Sequence, residues 1–212
     1  MRLRHWIGTC SLTAALAIAS TAQAQDTTPS LFPLMQRWGN VEYQMQGNAQ
    51  EQAFEALTDE INALAATHPD DPQVLTAQGV ILASFARAKG GLGALDLAKQ
   101  ARAALERAVE LDPQGEDGSA LVTLGALYQH VPGWPIAFGD EDRAGELFQR
   151  AVQTRPDGVD TNFYYAQYLE DQGEHDQAVA YAERAISGEA RDQRPSDEAL
   201  RGEVEQWLEA HR

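Results

Sequence analysis

Three times along this chain, small and apolar residues recur at one spacing, and that spacing restricts the chain to paired helices. Ala101, Leu105, Ala108 and Pro113 stand at offsets 0, 4, 7 and 12, and Ala144, Phe148, Ala151 and Pro156 repeat them. Ala178, Ala182 and Ala185 follow at 0, 4 and 7, without the proline. Residues four and seven apart share one helix face, alanine on that face admits a neighbouring helix closely, and a proline twelve along stops the helix. Each signature therefore predicts the second helix of a helical hairpin.

The first helices lie upstream. Leu124, Gly125 and Tyr128 form a large-small-aromatic face before the second signature; Tyr165, Ala166 and Leu169 form it before the third, and Gly79 with Leu82 keeps part of it before the first. This pairing resembles the tetratricopeptide repeat, matched without gaps from Asn162 to Ala185. The resemblance implies an all-α, right-handed solenoid of antiparallel hairpins. Pro69, Pro113 and Pro156 are 44 and 43 residues apart, against ~34 in such a repeat. Counting inward from the signatures puts the excess inside two hairpins. One insertion carries Lys89-Gly90-Gly91-Leu92-Gly93, and the other runs from Val131 to Asp140. Equivalent turns of a solenoid share an edge, so both insertions are expected side by side on a candidate functional surface.

The helix signals give one domain over 25–212: an opening helix pair at about 30–69, repeats at 71–113, 117–156 and 159–190, and a capping helix at 195–212. Asp71-Pro72 and Asp140 read as helix starts. Leu200, Val204, Trp207 and Leu208 make one apolar stripe among glutamates, as a terminal cap requires. Ahead of this domain, Arg2 and Arg4 precede an apolar stretch from Ile7 to Ala19, and Ala22-Gln23-Ala24 supplies a small-residue cleavage site. Residues 1–24 therefore read as a secretory signal, and the mature protein as exported and periplasmic. The apolar stretch is shorter than the ~20 residues of a spanning helix. The single cysteine, Cys10, lies inside it, so disulfides do not stabilise the mature chain.

After cleavage 14 basic residues face 32 acidic ones, a net charge of −18, which argues against nucleic-acid partners. The Lys89 segment lacks the Gly-x-x-x-x-Gly-Lys-Ser/Thr order of a phosphate loop. A bend admitting the Trp134 loop closely is the better account of its glycines. No histidines share a metal-ligand spacing, no hydroxyl or thiol comes with a recognisable base and orienter, and Asp112 to Asp117 is not a calcium loop. The chain is expected to be no enzyme and to need no cofactor or metal.

The stretches Gly91-Leu92-Gly93-Ala94-Leu95, Asp117-Gly118-Ser119-Ala120, Val131-Pro132-Gly133-Trp134-Pro135, Phe138-Gly139-Asp140 and Pro156 through Tyr165 together resemble a family of small exported bacterial tetratricopeptide-repeat proteins. That family is similar to the repeat component found alongside some TRAP-type solute transporters. The resemblance implies a periplasmic, non-enzymatic binding protein or scaffold for a protein or peptide. The alternatives are a small-solute-binding accessory to a transporter and a self-assembling structural component. The candidate surface comprises Leu92, His130, Trp134, Phe138, Tyr164 and Tyr168. Prolines and glycines hold the Trp134 loop in one shape, and Trp134 and Phe138 either display their rings as anchors or fold back as a plug. His130 is either part of that edge or a helix-terminal cation. Tyr164 and Tyr168, four apart, are expected to face the concave groove or to pack against the terminal helix.

Overall fold

The computed structural model describes residues 31–191 and 194–211; the signal read over 1–24 lies outside the described residues. Those residues form an all-α solenoid. An opening helix α1 (Leu31–Gln44) leads into α2 (Gly47–Thr67). Three hairpins follow: α3 (Pro72–Lys89) with α4 (Ala94–Leu111), α5 (Ser119–His130) with α6 (Glu141–Thr154), and α7 (Val159–Asp171) with α8 (His175–Ser187). Helix α9 (Pro195–His211) ends the chain. The starts obey the caps in the sequence. Asp71 accepts from Gln73 N at 2.9 Å and Val74 N at 3.2 Å, and Asp140 accepts from Arg143 N at 3.0 Å, satisfying amide donors that a helix start leaves free.

All nine signature positions of the second helices are fully buried, and the small residues opposite explain why. A Cβ added at Gly79 would sit 2.3 Å from Leu105 Cγ, and one at Gly125 would sit 2.8 Å from the Phe148 ring. Glycine thus faces a large side chain in the first two hairpins, whereas Ala166 and Ala182 meet that pattern with two small residues in the third. Gly125→Ala is therefore expected to destabilise the protein. Overpacking against Phe148 costs about 1–3 kcal/mol and outweighs the gain of up to about 1 kcal/mol in helix propensity. A thermal melt no lower than that of the unaltered chain would show that Phe148 yields freely.

The two insertions are absorbed differently. In the first hairpin α3 and α4 grow to 18 residues each, against 13 in α7 and α8, leaving a short turn at 90–93. In the second the helices stay short, and 131–140 forms a loop of its own. Helices α3, α5 and α7 touch one another in sequence order, while α4, α6 and α8 do not, so the leading helices line the concave side. Helix α1 touches α2, α3 and α9. It therefore runs from the start of the solenoid to its capping helix, across that concave side.

Candidate functional site

The loop after α5 is built from its ends inward. Asp140 N donates to Tyr128 O at 2.9 Å, Gly139 N donates to Pro132 O at 3.0 Å, and Gly133 and Gly139 form a short parallel bridge. Within the loop Gly133 O accepts from Ile136 N at 3.1 Å and Ala137 N at 3.2 Å. The crossing leaves no room for a side chain at position 139: a Cβ there would lie 1.8 Å from Val131 O. A loop whose base is closed by backbone bonds holds its tip without help from a ligand.

Its two aromatic residues part company. Phe138 turns inward, its ring edge-on to Tyr128 at 5.6 Å, with the Arg102 guanidinium 4.4 Å from its centroid. Tyr128 in turn donates to Glu106 Oε1 at 2.8 Å, tying the loop's support to α4. Burial, then the Glu106 hydrogen bond, raise the Tyr128 pKa. Trp134 points away and is 90% exposed, with Ile136 beside it at 65%. Of the two readings of this loop, plug describes Phe138 and display describes Trp134.

The other candidates fall in separate places. Leu92 is 84% exposed on the turn of the first hairpin. Gly90 and Gly91 there have φ of +61° and +62°, and a Cβ on either would meet nothing within 4 Å. The glycines serve the left-handed backbone, not a close approach of the Trp134 loop, which corrects the sequence expectation. His130 is exposed at the end of α5. Tyr168 does not line the groove: its ring lies 5.7 Å from Phe148 and stacks on Tyr165 at 6.2 Å, while its hydroxyl fills the space over Gly145. The tyrosine serves hairpin packing, because Gly145 lets the ring lie close on α6.

Tyr164 does reach the concave side, and there it meets the chain's own α1. Glu42, Arg87, Glu203 and Asp160 all act electrostatically on its hydroxyl, and Tyr164 acts on that of Tyr43. Burial first pushes both phenols above their ordinary range, followed by Glu42 for Tyr164 and by Tyr164 and then Glu42 for Tyr43. Trp38 Nε1 donates to Ser84 Oγ at 2.9 Å, and Glu42 pairs with Arg87. Helix α1 thus occupies part of the groove.

A charged knot at the other edge escaped the sequence reading. Arg191 donates to Asp160 Oδ2 at 2.6 Å, to Asp197 Oδ1 at 2.8 Å and Oδ2 at 2.9 Å, and to Ser119 Oγ at 2.7 Å. Arg194 shares Ser119 at 2.9 Å, and Arg155 lies 3.4 Å from Asp160 and 3.5 Å from Asp197. The knot joins α5, α7 and α9 through the segment after α8. Beside it, Thr154–Asp157 and Glu189–Arg191 line an open cleft of about 430 Å³, and a second of about 610 Å³ lies along His68–Gln73.

Among the described residues, no helix is long and apolar enough to cross a membrane. No family model matches the chain, and no curated protein matches it. Its shape is similar to a crystal structure of MamA, at 18% identity over 76% of this chain and 88% of that one, with a TM-score of 0.47. A second crystal structure of MamA gives 17% identity over 84% and 88%, with a TM-score of 0.46.

Proposed function

We propose that this chain is a non-enzymatic, exported binding protein that holds a protein partner against the turn edge of its hairpins, with Trp134 as the anchor. The observation that carries this reading is the 90% exposed indole on a loop whose base is closed by backbone hydrogen bonds and whose Phe138 is pinned to Tyr128. A rigid indole presented in this way loses little conformational freedom on binding and supplies a large apolar contact, the properties of an interface hot spot. The acidic charge of the chain and the exposed Asp140, Glu141 and Asp142 next to the loop suit a partner whose apolar pocket has a basic rim. Solute binding as a transporter accessory would need an enclosing wall. The two open clefts lie at turns between hairpins, away from Trp134, and offer it no support.

Placing a photo-cross-linking phenylalanine analogue at position 134 in the exporting cell tests the reading. A discrete protein adduct is expected from position 134, and none from Leu111, an exposed apolar position at the opposite edge. Equal labelling from both positions, or none from position 134, would sink the proposal.

A further inference from the structure

Helix α1 sits where a ligand of the concave side would sit, yet it is held lightly. Two of its fourteen residues, Leu34 and Val41, are buried, against ten of the eighteen in α3. The Arg37–Glu60 pair is in solvent, each side chain 53% exposed, and adds little stability; Arg87, 61% exposed, reaches in to a Glu42 that is 12% exposed. The second oxygen of Glu42 is buried without a hydrogen-bond partner, and the Glu42 and Glu203 carboxylates repel each other. The helix joins the body through Met45 and Gln46, Gln46 supplies no side-chain cap, and Gly47 has φ +62° with open space where a Cβ would be. Three of the four core clusters contain no α1 residue, so most of the body keeps its packing if α1 lifts. Few buried contacts and a joint without a side-chain cap mark the low-stability end of a fold.

We propose that α1 is a displaceable strap: it seats on the concave side in cis and yields that seat to an amphipathic helix of a partner protein with α1's own chemistry. That chemistry is a face of Leu34, Trp38 and Val41, with Glu42 and Tyr43 directed to Arg87 and Tyr164. The strap is separate from the Trp134 edge, and its test does not depend on that site. A trans helix competes against a tethered one at an effective concentration on the order of millimolar, so weakening the cis contacts should reveal the seat.

The probe is a fluorescent peptide of residues 31–44, titrated by anisotropy with the full chain. Binding to a Trp38→Ala, Glu42→Ala chain is expected to be at least ~10-fold tighter than to the unaltered chain. A latch supplies the opposite control. A Cβ at Gly39 would lie 3.9 Å from Ser196 Cβ, within the ~3.5–4.5 Å a disulfide needs. Gly39→Cys with Ser196→Cys, in a Cys10→Ser chain that also carries the weakened strap, should close on oxidation and abolish peptide binding until reduced. Equal binding by the weakened and unaltered chains overturns the proposal, as does binding indifferent to the latch. A latch that closes between two molecules, seen as a dimer on a non-reducing gel, overturns it in favour of a second copy as occupant. Hydrogen exchange on the unaltered chain needs no variant to fold. Amides of α1 should exchange faster than those of α3, and faster still with unlabelled peptide; α1 protection equal to that of α3 and unmoved by peptide refutes the strap.

Discussion

Arg191→Ala is expected to be the most damaging single change away from the hydrophobic core, costing about 3–5 kcal/mol at neutral pH. Arg191 is 15% exposed and its two carboxylate partners less still, Asp160 at 11% and Asp197 at 3%. Removing the guanidinium leaves each buried acid one backbone amide, Thr161 N for Asp160 and the residue 191 N for Asp197, each at 2.9 Å, with Arg155 as the remaining ion-pair partner and that at the longer distances. Under-compensated buried charge is what makes a broken internal pair so costly. Burial by itself disfavours the Arg191 cation, but Asp160 and Asp197 outweigh it and hold the group firmly charged. Arg194→Ala should cost much less. Burial first, and then Arg191, already disfavour the Arg194 cation, and Ser119 keeps a donor without it.

The pH dependence carries a sign. Burial raises the Asp197 carboxyl, but the Arg191 hydrogen bonds and charge prevail, and its pKa lies below the usual carboxylate value. A carboxylate depressed in the folded state adds stability above its unfolded pKa of about 3.9, and this is lost as pH falls through the lower folded value. Urea titrations should therefore show the Arg191→Ala deficit in full at pH 7 and a smaller deficit below about pH 4. In the variant burial acts on Asp197 with the backbone amide of residue 191 and the Arg155 charge left to offset it, so protonation there relieves a penalty. A deficit under about 1 kcal/mol at pH 7, or one that does not change with pH, would mean that the carboxylates find other partners.

The hairpins were legible because their signal is local and periodic. Each triplet, Ala-Leu-Ala, Ala-Phe-Ala or Ala-Ala-Ala, lies within two helical turns, and a small residue, Gly79, Gly125 or Ala166, stands in the helix before it. The knot was not legible because its members are dispersed. Arg191 and Ser119 are 72 residues apart, and only the curvature of the solenoid brings the segment after α8 onto the start of α5. Asp160 stood in plain view in the Pro156-Asp157-Gly158-Val159-Asp160 motif, but nothing local marks a buried acid until its cation is known. Position along the turn edge was readable for Trp134 and Leu92 from the excess spacing, whereas the division of labour between Trp134 and Phe138 was not. It depends on Tyr128 and Arg102, which lie on two different helices. Tyr168 shows the limit of face arguments: its offset from Tyr164 is right for a shared face, but Gly145 opens a closer site on α6. Nor does amphipathic spacing say which neighbour a helix will cover, so the crossing of α1 to α9 had no sequence signature.

Trp134→Ala and Phe138→Ala, compared side by side, should separate binding from folding. Trp134 is almost wholly solvated, and substitutions of that kind stay within about 0.5 kcal/mol, so the melting temperature of Trp134→Ala should match that of the unaltered chain. Its affinity for the partner captured at position 134 should fall at least ~30-fold, as loss of a hot-spot aromatic worth 2 kcal/mol or more requires. Phe138→Ala removes the edge-to-face contact with Tyr128 and the Arg102 cation from its ring, contributions of about 1 kcal/mol each. That variant should be less stable by about 1–2 kcal/mol, a fall of several degrees for a chain of this size. It should also weaken binding, but through the loop: a faster dissociation rate is expected, because an unpinned Trp134 must be ordered each time it docks. Full affinity in Trp134→Ala would remove the indole from the interface. A drop in its melting temperature equal to that of Phe138→Ala would return both rings to the role of plug.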